Sequence, residues 1–475
     1  MILIRASISL KKAKPISPYS RQLLKPVEFS TFLQMKRFSY LVGFTFLVSV
    51  SYSCRKEKNT AFVLPWTANP PQILTFGGAL NESAQAVVAT PNGGFAVLGH
   101  TQSEDGDLEE KTNASFDLWL LQFDAQGDLL WDRTYGGVGN ERAADLVLRP
   151  EGGFVLLGSQ ENLEIGSPNP DLWVLGVDAN GTLQWEQSFG YSGADYGTQL
   201  LATKEGSYLL SGVLDVTASN GLGNKKRTRK HAGGDYWVLK LDRSGQLLWR
   251  NYFGGLQTDT PYGLAETMDG GYLIVGSSDS ADTDITNNIG SYDAWVVKIN
   301  EDGQKLWERN YGGSQIDNAY GIRPAENGSF VLIGDSRSTD LPRAPNKGGA
   351  DLWFWEIASD GTLLNEKTFG GSSFEVGHSI ERITNKQWLI AGSSRSSEGD
   401  LMVNQGQNDL WTLVLDNKGE QVLWQQTLGG SQIDFAYDAT QLSNGTVVTV
   451  GESSSADGDL IQNEGYSDLV IILNK

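Results

Sequence analysis

The stretches AYGIRPAENGSFVLIGDS (319–336) and DLWFWEIASDGTLLNEKTFGG (351–371) decide the fold. Each contains two runs of alternating or β-rich residues, and an Asn-Gly or Asp-Gly turn separates the two runs. A long polar loop, residues 337–350, connects the two stretches. The pattern predicts four short antiparallel strands, which we name A, B, C and D in chain order.

Units of the same kind fill most of the chain. In each unit an aromatic residue or Leu precedes a glycine at the end of strand D, and consecutive positions of this kind are 54 to 64 residues apart. A tryptophan also recurs near the start of strand C, in DLW, DYW or DAW. Self-similarity at this period indicates stacked or radially arranged units. The seven positions at the end of strand D are Phe76, Tyr135, Phe189, Phe253, Tyr311, Phe369 and Leu428.

Four-stranded units repeated radially are the blades of a β-propeller. The last unit ends with its C strand (467–474), and a lone D strand (71–78) precedes the first unit. The N-terminal strand can therefore complete the last blade, which closes the ring and leaves no free sheet edge. We predict an all-β protein, a seven-bladed β-propeller over residues 71–475. A linear β-solenoid is the alternative, and it would leave both terminal strands unpaired.

The pattern DLWLLQFDAQGDLLWDRTYGG (117–137) resembles the glycine-rich propeller repeats of secreted and lipid-anchored bacterial proteins of the Bacteroidetes type. It is also similar to the delta-60 repeat, and the strand order resembles that of WD-repeat propellers. The resemblance implies the architecture over roughly residues 70–475. It implies no catalytic residue, because such propellers carry many functions.

The N-terminal segment MKRFSYLVGFTFLVSVSYSC (35–54) has a basic start and an apolar run of 13 residues, 38–50. A run of this length is typical of a signal peptide rather than of a membrane-spanning helix. The segment resembles a bacterial lipoprotein signal, in which Cys54 becomes the lipidated first residue of the mature chain. An ordinary secretory signal is the alternative. We expect residues 1–34 to be an incorrectly assigned start, 35–53 the signal peptide and 54–70 a tether. The protein would then be lipid-anchored in the bacterial cell envelope, at the outer membrane on its periplasmic side or at the surface.

Composition excludes several classes of function. The formal charge of −20 repels nucleic acid and favours a soluble monomer. With a single cysteine the chain forms no internal disulfide. Its three histidines, His100, His231 and His378, fall in different repeats, which disfavours a histidine-based catalytic or metal site. Membrane contact is expected through the lipid anchor alone.

An acid begins strand A of every unit, as in the string GGSQID at 312–317 and again at 429–434. The D–A and B–C loops of a blade lie on one face, so these acids should surround the mouth of the central channel. Binding residues commonly lie on such loops. We therefore predict a ligand-binding face that contains Glu82, Glu141, Asp195, Asp259, Asp317, Glu375 and Asp434.

The B–C loops add a second set of acids, each followed by an asparagine. Oxygen ligands at this density can hold calcium, although the loops lack EF-hand spacing. The competing interpretation is that both sets of acids hydrogen-bond their own loops. We favour this brace, and we expect no cofactor apart from calcium if any is bound. The metal candidates are Asp107, Asp284, Asp400 and Asp459.

These observations predict an envelope lipoprotein whose propeller binds a protein or glycan partner through its loop-rich acidic face. The alternative is a glycoside hydrolase-like enzyme that acts on polysaccharide with carboxylates at the channel mouth. We favour the binding protein, and we assign no catalytic residue.

Overall fold

The computed structural model describes residues 69–108, 111–161, 163, 169–224, 230–401 and 403–475. The predicted signal peptide, Cys54 and most of the tether lie outside the described residues. Within them, seven four-stranded antiparallel sheets form the seven blades of a β-propeller. This confirms the predicted fold class. A short α-helix, α1 (Val216–Ser219), lies in the B–C loop of blade 3, and short 3-10 helices span Gly106–Leu108, Glu326–Gly328 and Thr384–Lys386. No helix of the described segments is long and apolar enough to cross a membrane.

The strands follow the predicted order A, B, C, D in each blade. Blade 1 consists of β2 (Glu82–Ala89), β3 (Phe95–Thr101), β4 (Asp117–Phe123) and β5 (Leu129–Tyr135). Blade 2 consists of β6 (Glu141–Leu148), β7 (Phe154–Glu161), β8 (Pro170–Val177) and β9 (Leu183–Phe189). Blade 3 consists of β10 (Tyr196–Ala202), β11 (Tyr208–Asp215), β12 (Gly234–Leu241) and β13 (Leu247–Phe253). Blade 4 consists of β14 (Asp259–Glu266), β15 (Tyr272–Ser278), β16 (Asp293–Ile299) and β17 (Lys305–Tyr311).

The remaining three blades repeat this arrangement, and the last includes the N-terminal strand. Blade 5 consists of β18 (Asp317–Pro324), β19 (Phe330–Ser336), β20 (Asp351–Ile357) and β21 (Leu363–Phe369). Blade 6 consists of β22 (Glu375–Arg382), β23 (Trp388–Ser394), β24 (Asp409–Leu415) and β25 (Val422–Leu428). Blade 7 consists of β26 (Asp434–Gln441), β27 (Val447–Ser453), β28 (Asp468–Asn474) and β1 (Gln72–Phe76).

The ring closes through the predicted pairing of the N-terminal strand. β1 pairs antiparallel with β28, from Gln72 opposite Leu473 to Phe76 opposite Leu469. A second contact crosses the same seam between the inner strands, because the Val87 N–H donates to Asp438 Oδ2 at 3.0 Å. The linear solenoid is therefore excluded, since both of its ends would be unpaired.

The core is divided among the junctions between blades. Seven clusters of buried apolar side chains each join two neighbouring blades, and one of them joins blade 7 to blade 1. The strand-C tryptophans belong to these clusters, and Trp237, Trp295 and Trp411 have no exposed surface. Their recurrence in the sequence is explained by packing between blades.

The two faces of the disc differ in the length of their connections. Because consecutive strands run antiparallel, the A–B and C–D turns share one face, which we call the short-turn face. Its turns form as the sequence predicts: Asp124 Oδ1 accepts the N–H groups of Gln126 and Asp128, and Gly127 adopts a φ of +91°. The D–A and B–C loops share the opposite face, which we call the loop-rich face.

Candidate functional site

The seven recurring acids at the start of strand A are buried rather than open to solvent. Their exposed fractions range from 0% to 4%. In every blade the carboxylate accepts the backbone N–H of the residue four positions earlier, at 2.7–3.1 Å. Each acid therefore fastens the D–A loop that precedes it. This is the geometry of a brace.

Two versions of this brace explain why Asp and Glu both occur. In blade 5, Asp317 accepts the Gly313 N–H at 2.7 Å and the hydroxyls of Ser336 and Ser338, the latter at 2.7 Å. In blade 6 the longer Glu375 accepts the Gly371 N–H at 2.8 Å, and its second oxygen reaches the backbone N–H of Ser396 at 3.0 Å. In these two blades the shorter acid accepts two serine hydroxyls, whereas the longer acid accepts B–C loop N–H groups and the Ser394 hydroxyl at 3.2 Å. In blade 3 the brace differs again, because Asp195 accepts the Asp215 N–H at 2.8 Å.

The four proposed metal ligands lie beside the same loops. Asp107 and Asp400 accept the N–H of the first glycine of the preceding D–A loop, each at 3.0 Å, and Asp284 and Asp459 make longer contacts of the same kind at 3.4 Å. Lys305 pairs with Asp284 at 2.5 Å. Among the described residues, no group of three or more His, Cys, Asp or Glu side chains is arranged to hold a metal ion. Calcium binding at these acids stays the untested alternative to the brace.

The structure adds a third set of acids that the sequence reasoning missed, the Asp at the start of strand C. In blade 5 this residue is Asp351, which has no exposed surface. Burial raises the pKa of Asp351 to about 6, and the nearby charges of Glu375 and Asp400 act in the same direction. A Cβ on Gly370 would lie 2.4 Å from Asp351 Oδ1 and 2.7 Å from Glu375 Oε2, so only glycine fits between the two carboxyls. The Asp of the recurring DLW motif occupies this position, so the sequence contains the signal for this set of acids.

The central channel is lined by residues that differ between blades. Every inner strand has a one-residue β-bulge at the third position after its recurring acid. The bulge turns this side chain towards the axis. Together the seven side chains line a cavity of about 310 Å³, which we call the upper cavity. We call the seven residues the bulge ring: Gln85, Ala144, Thr198, Tyr262, Tyr320, His378 and Tyr437.

One side of the bulge ring is aromatic. Ring centroids are 5.0 Å apart between Tyr262 and Tyr320, 5.8 Å between Tyr320 and His378, and 5.4 Å between His378 and Tyr437. We call these four residues the aromatic wall. Burial lowers the pKa of His378, so the imidazole is neutral at physiological pH. The Tyr437 hydroxyl donates to Glu452 Oε1 at 2.9 Å, which holds that ring in place.

Charged groups form the floor of the upper cavity. Asp145, Arg323 and Asp438 line it and also line a second cavity of about 520 Å³ nearer the short-turn face, which contains Glu381. Burial raises the pKa of Asp145 to about 7 and the pKa of Glu381 to about 7, whereas the charge of Arg323 lowers both. Burial also raises the pKa of Asp438. Asp145 accepts the N–H groups of Leu146 and Leu200, each at 2.8 Å.

The recurring acids and the bulge ring therefore have different roles. The acids occupy one equivalent place in every blade and hold loops. The bulge ring lies three residues further along and carries a different surface in each half of the channel. When the seven repeats are aligned, the residue type varies at this position, which always lies three residues after the recurring acid. That variation is the sequence signal that the position lines a site.

Comparisons with known proteins assign no family to this chain. The chain is a seven-bladed β-propeller protein, and no protein-family model matches it. It is 27% identical over 189 residues to the regulatory protein FlaEY of Caulobacter vibrioides, a match that covers 35% of this chain. That match covers 19% of the relative, so the chain spans about a fifth of the relative's length.

Solved propellers resemble the chain at low identity. The Dos1 propeller has a TM-score of 0.44 at 8% identity, with 86% of this chain and 95% of that one covered. The Pan2 WD40 domain of Neurospora crassa has a TM-score of 0.42 at 10% identity, with 83% and 97% covered. The quinohemoprotein alcohol dehydrogenase of Comamonas testosteroni has a TM-score of 0.44 at 9% identity, with 86% and 76% covered. Such distant likenesses indicate no function for this chain.

Proposed function

We propose that this chain is a ligand-binding lipoprotein of the bacterial cell envelope, and that its ligand binds in the upper cavity at the loop-rich end of the channel. The observation that carries the proposal is the bulge ring. A repetitive frame that places one non-equivalent side chain per blade at a single cavity is suited to recognition. Ligand pockets are typically concave and partly apolar, with a few polar groups that fix orientation.

The buried acids support this location for the ligand indirectly. Their carboxylates are already hydrogen-bonded to loop N–H groups, as in the bond from Gly313 to Asp317. A ligand on the loop-rich face would compete with these bonds, whereas a ligand in the channel would leave them intact. We therefore move the predicted contact from the recurring acids to the bulge ring, and assign the acids to loop rigidity.

The first described strand of the chain enters the propeller on a defined face. The D strand β1 begins at Gln72, opposite Leu473, on the short-turn face. The chain therefore enters the propeller on the face opposite the open loops.

A second candidate is hydrolysis of a polysaccharide, and one observation favours it. A carboxyl group whose pKa is about 7, such as that of Asp145, has the proton affinity that a general acid needs at neutral pH. However, both oxygens of Asp145 accept backbone N–H groups, and these bonds lower the pKa of Asp145 and so favour the ionised carboxylate over a proton donor. Release of reducing sugar from envelope polysaccharide, abolished in Asp145→Asn, would establish the enzyme and displace the binding protein.

The binding proposal is tested with the full-length protein and a panel of sugars, amino acids, amines and nucleosides. We expect at least one compound to raise the melting temperature of the wild type and not that of Tyr320→Ala. Tyr466→Ala is the matched control, because Tyr466 lies on the loop-rich face, away from the channel, and is 71% exposed. Equal shifts in the wild type and both variants would place the ligand outside the channel and refute the proposal.

The anchor is tested separately by metabolic labelling with a fatty-acid analogue. The wild type should incorporate label and Cys54→Ala should not, and a chain begun at Met35 should behave as the wild type does. Labelling of Cys54→Ala would refute the lipid anchor and leave the binding site unaffected.

A further inference from the structure

The floor of the upper cavity carries more negative than positive groups. Asp145 and Asp438 line the upper cavity, and Glu381 lines the adjoining second cavity. The charge of Arg323, the single guanidinium on this floor, lowers the pKa of all three carboxyl groups. Buried carboxylates without full compensation repel one another, and a bound cation relieves that repulsion. The overall charge of −20 adds to the attraction of a cation into a narrow channel.

Several hydrogen-bond donors of the cavity wall are already used within the protein. The Gln85 amide donates to Ser83 Oγ at 2.7 Å, and the Gln199 amide donates to Asp145. The Thr198 hydroxyl is bonded to Ser211 Oγ at 3.1 Å. Each amide or carboxylate oxygen has two lone pairs, so these side chains offer acceptors to a ligand. An ammonium group carries donors and no acceptor, and it therefore complements this wall.

The aromatic wall provides the second, independent observation. Three tyrosines and a neutral histidine line one side of the same cavity, opposite Gln85 and Thr198. Aromatic faces attract cations, and the attraction grows where water is excluded. They also pack against a flat or apolar molecular frame.

We propose that the upper cavity binds a protonated amine, with its ammonium group towards Asp145 and Asp438 and its carbon frame against the aromatic wall. This inference rests on the proposed function and specifies its ligand class. The cavity of about 310 Å³ fits a small molecule or the amino-bearing end of a longer one. A neutral molecule of the same shape leaves the carboxyl groups uncompensated and binds more weakly.

The test uses probes that differ in charge and little in shape. Benzylamine, benzyl alcohol and benzoate are titrated into the full-length protein by calorimetry at about pH 8, where carboxyls with pKa values near 7 are mostly ionised. Glucosamine and glucose form a second pair with a polyol frame. The amine of each set should bind at least about tenfold tighter than its neutral partner, and benzoate should bind weakest.

Two variants change the charge of the cavity floor in opposite directions. Asp438→Asn removes a charge at constant shape and should weaken benzylamine binding by about tenfold without affecting benzyl alcohol. Arg323→Gln removes the competing cation and should tighten benzylamine binding, a gain that misfolding cannot produce. Asp124→Asn, in a C–D turn on the short-turn face, is the matched control and should change neither affinity.

The outcomes separate this inference from the proposed function. If the neutral and the charged probes bind equally and Tyr320→Ala abolishes both, the channel is a binding site that does not select amines, and the inference is wrong. If benzylamine binding is absent, or is unchanged in both Asp438→Asn and Arg323→Gln, the inference is also wrong. Tighter binding to Arg323→Gln together with weaker binding to Asp438→Asn establishes it.

Discussion

Replacement of Asp317 with alanine should destabilise the propeller by about 3 kcal/mol, because it removes the acceptor of a buried donor set. The Asp317 side chain has no exposed surface, and it accepts the Gly313 N–H and the Ser338 hydroxyl at 2.7 Å each, together with the Ser336 hydroxyl. The backbone N–H has no freedom to turn away, and a buried donor left without a partner costs about 1–3 kcal/mol. The two hydroxyls can rotate, so their contribution is smaller.

The assay is urea unfolding of the full-length protein, followed by tryptophan fluorescence. Asp317→Glu should cost less than Asp317→Ala, because Glu occupies the equivalent position in three other blades and reaches backbone N–H groups there. Asp340→Ala is the control from the same loop system. Asp340 accepts the Ser314 N–H at 2.9 Å but is exposed, so water replaces it after substitution. A loss for Asp317→Ala no larger than that for Asp340→Ala would refute the brace.

Three further perturbations test other parts of the structure. Deletion of residues 71–78 should lower the stability of the whole ring by about 3 kcal/mol or more, since β28 loses one of its two paired strands and Ile73, Leu74 and Phe76 leave the core; cooperative melting at an unchanged temperature would contradict ring closure. Addition of calcium or of a chelator should leave the melting temperature unchanged. Saturable calcium uptake that is lost in Asp400→Ala and Asp459→Ala would show that these acids are metal ligands rather than braces. Stability should fall as pH rises from about 4 to about 7, because carboxyls such as Glu381, whose pKa is about 7, bind their protons more tightly in the folded chain; Glu381→Gln should flatten this decline, and an unchanged profile would contradict the assigned cause.

The fold was predictable because its determinants are local and repeated. Alternation, Asp-Gly turns and the lone D strand before Glu82 were sufficient to predict seven blades and their closure. The same pattern of strands and turns recurs in each blade, so a weak strand signal in one repeat is strengthened by the six others. The predicted pairing of 71–78 with the last C strand is confirmed by the register of Gln72 opposite Leu473.

The candidate site was predictable only in part. The sequence placed the acids correctly at the start of strand A, but exposure and burial of a carboxylate cannot be read from spacing. The bulge was the second obstacle. Strict alternation would assign Tyr320 and Gly321 to opposite faces of β18, whereas the irregularity between Ala319 and Gly321 brings both to the channel. The grouping of Tyr262, Tyr320, His378 and Tyr437 depends on ring closure and becomes visible only in three dimensions.

The most direct test of the account is photolabelling with a benzylamine that carries a diazirine on its ring, followed by peptide mapping of the full-length protein. We expect adducts on the inner-strand peptides that contain Tyr262, Tyr320, His378 or Tyr437, and their disappearance in excess unlabelled benzylamine. Competed adducts confined to the B–C loops, such as 279–292 and 395–408, would place the ligand on the loop-rich face and contradict binding in the channel.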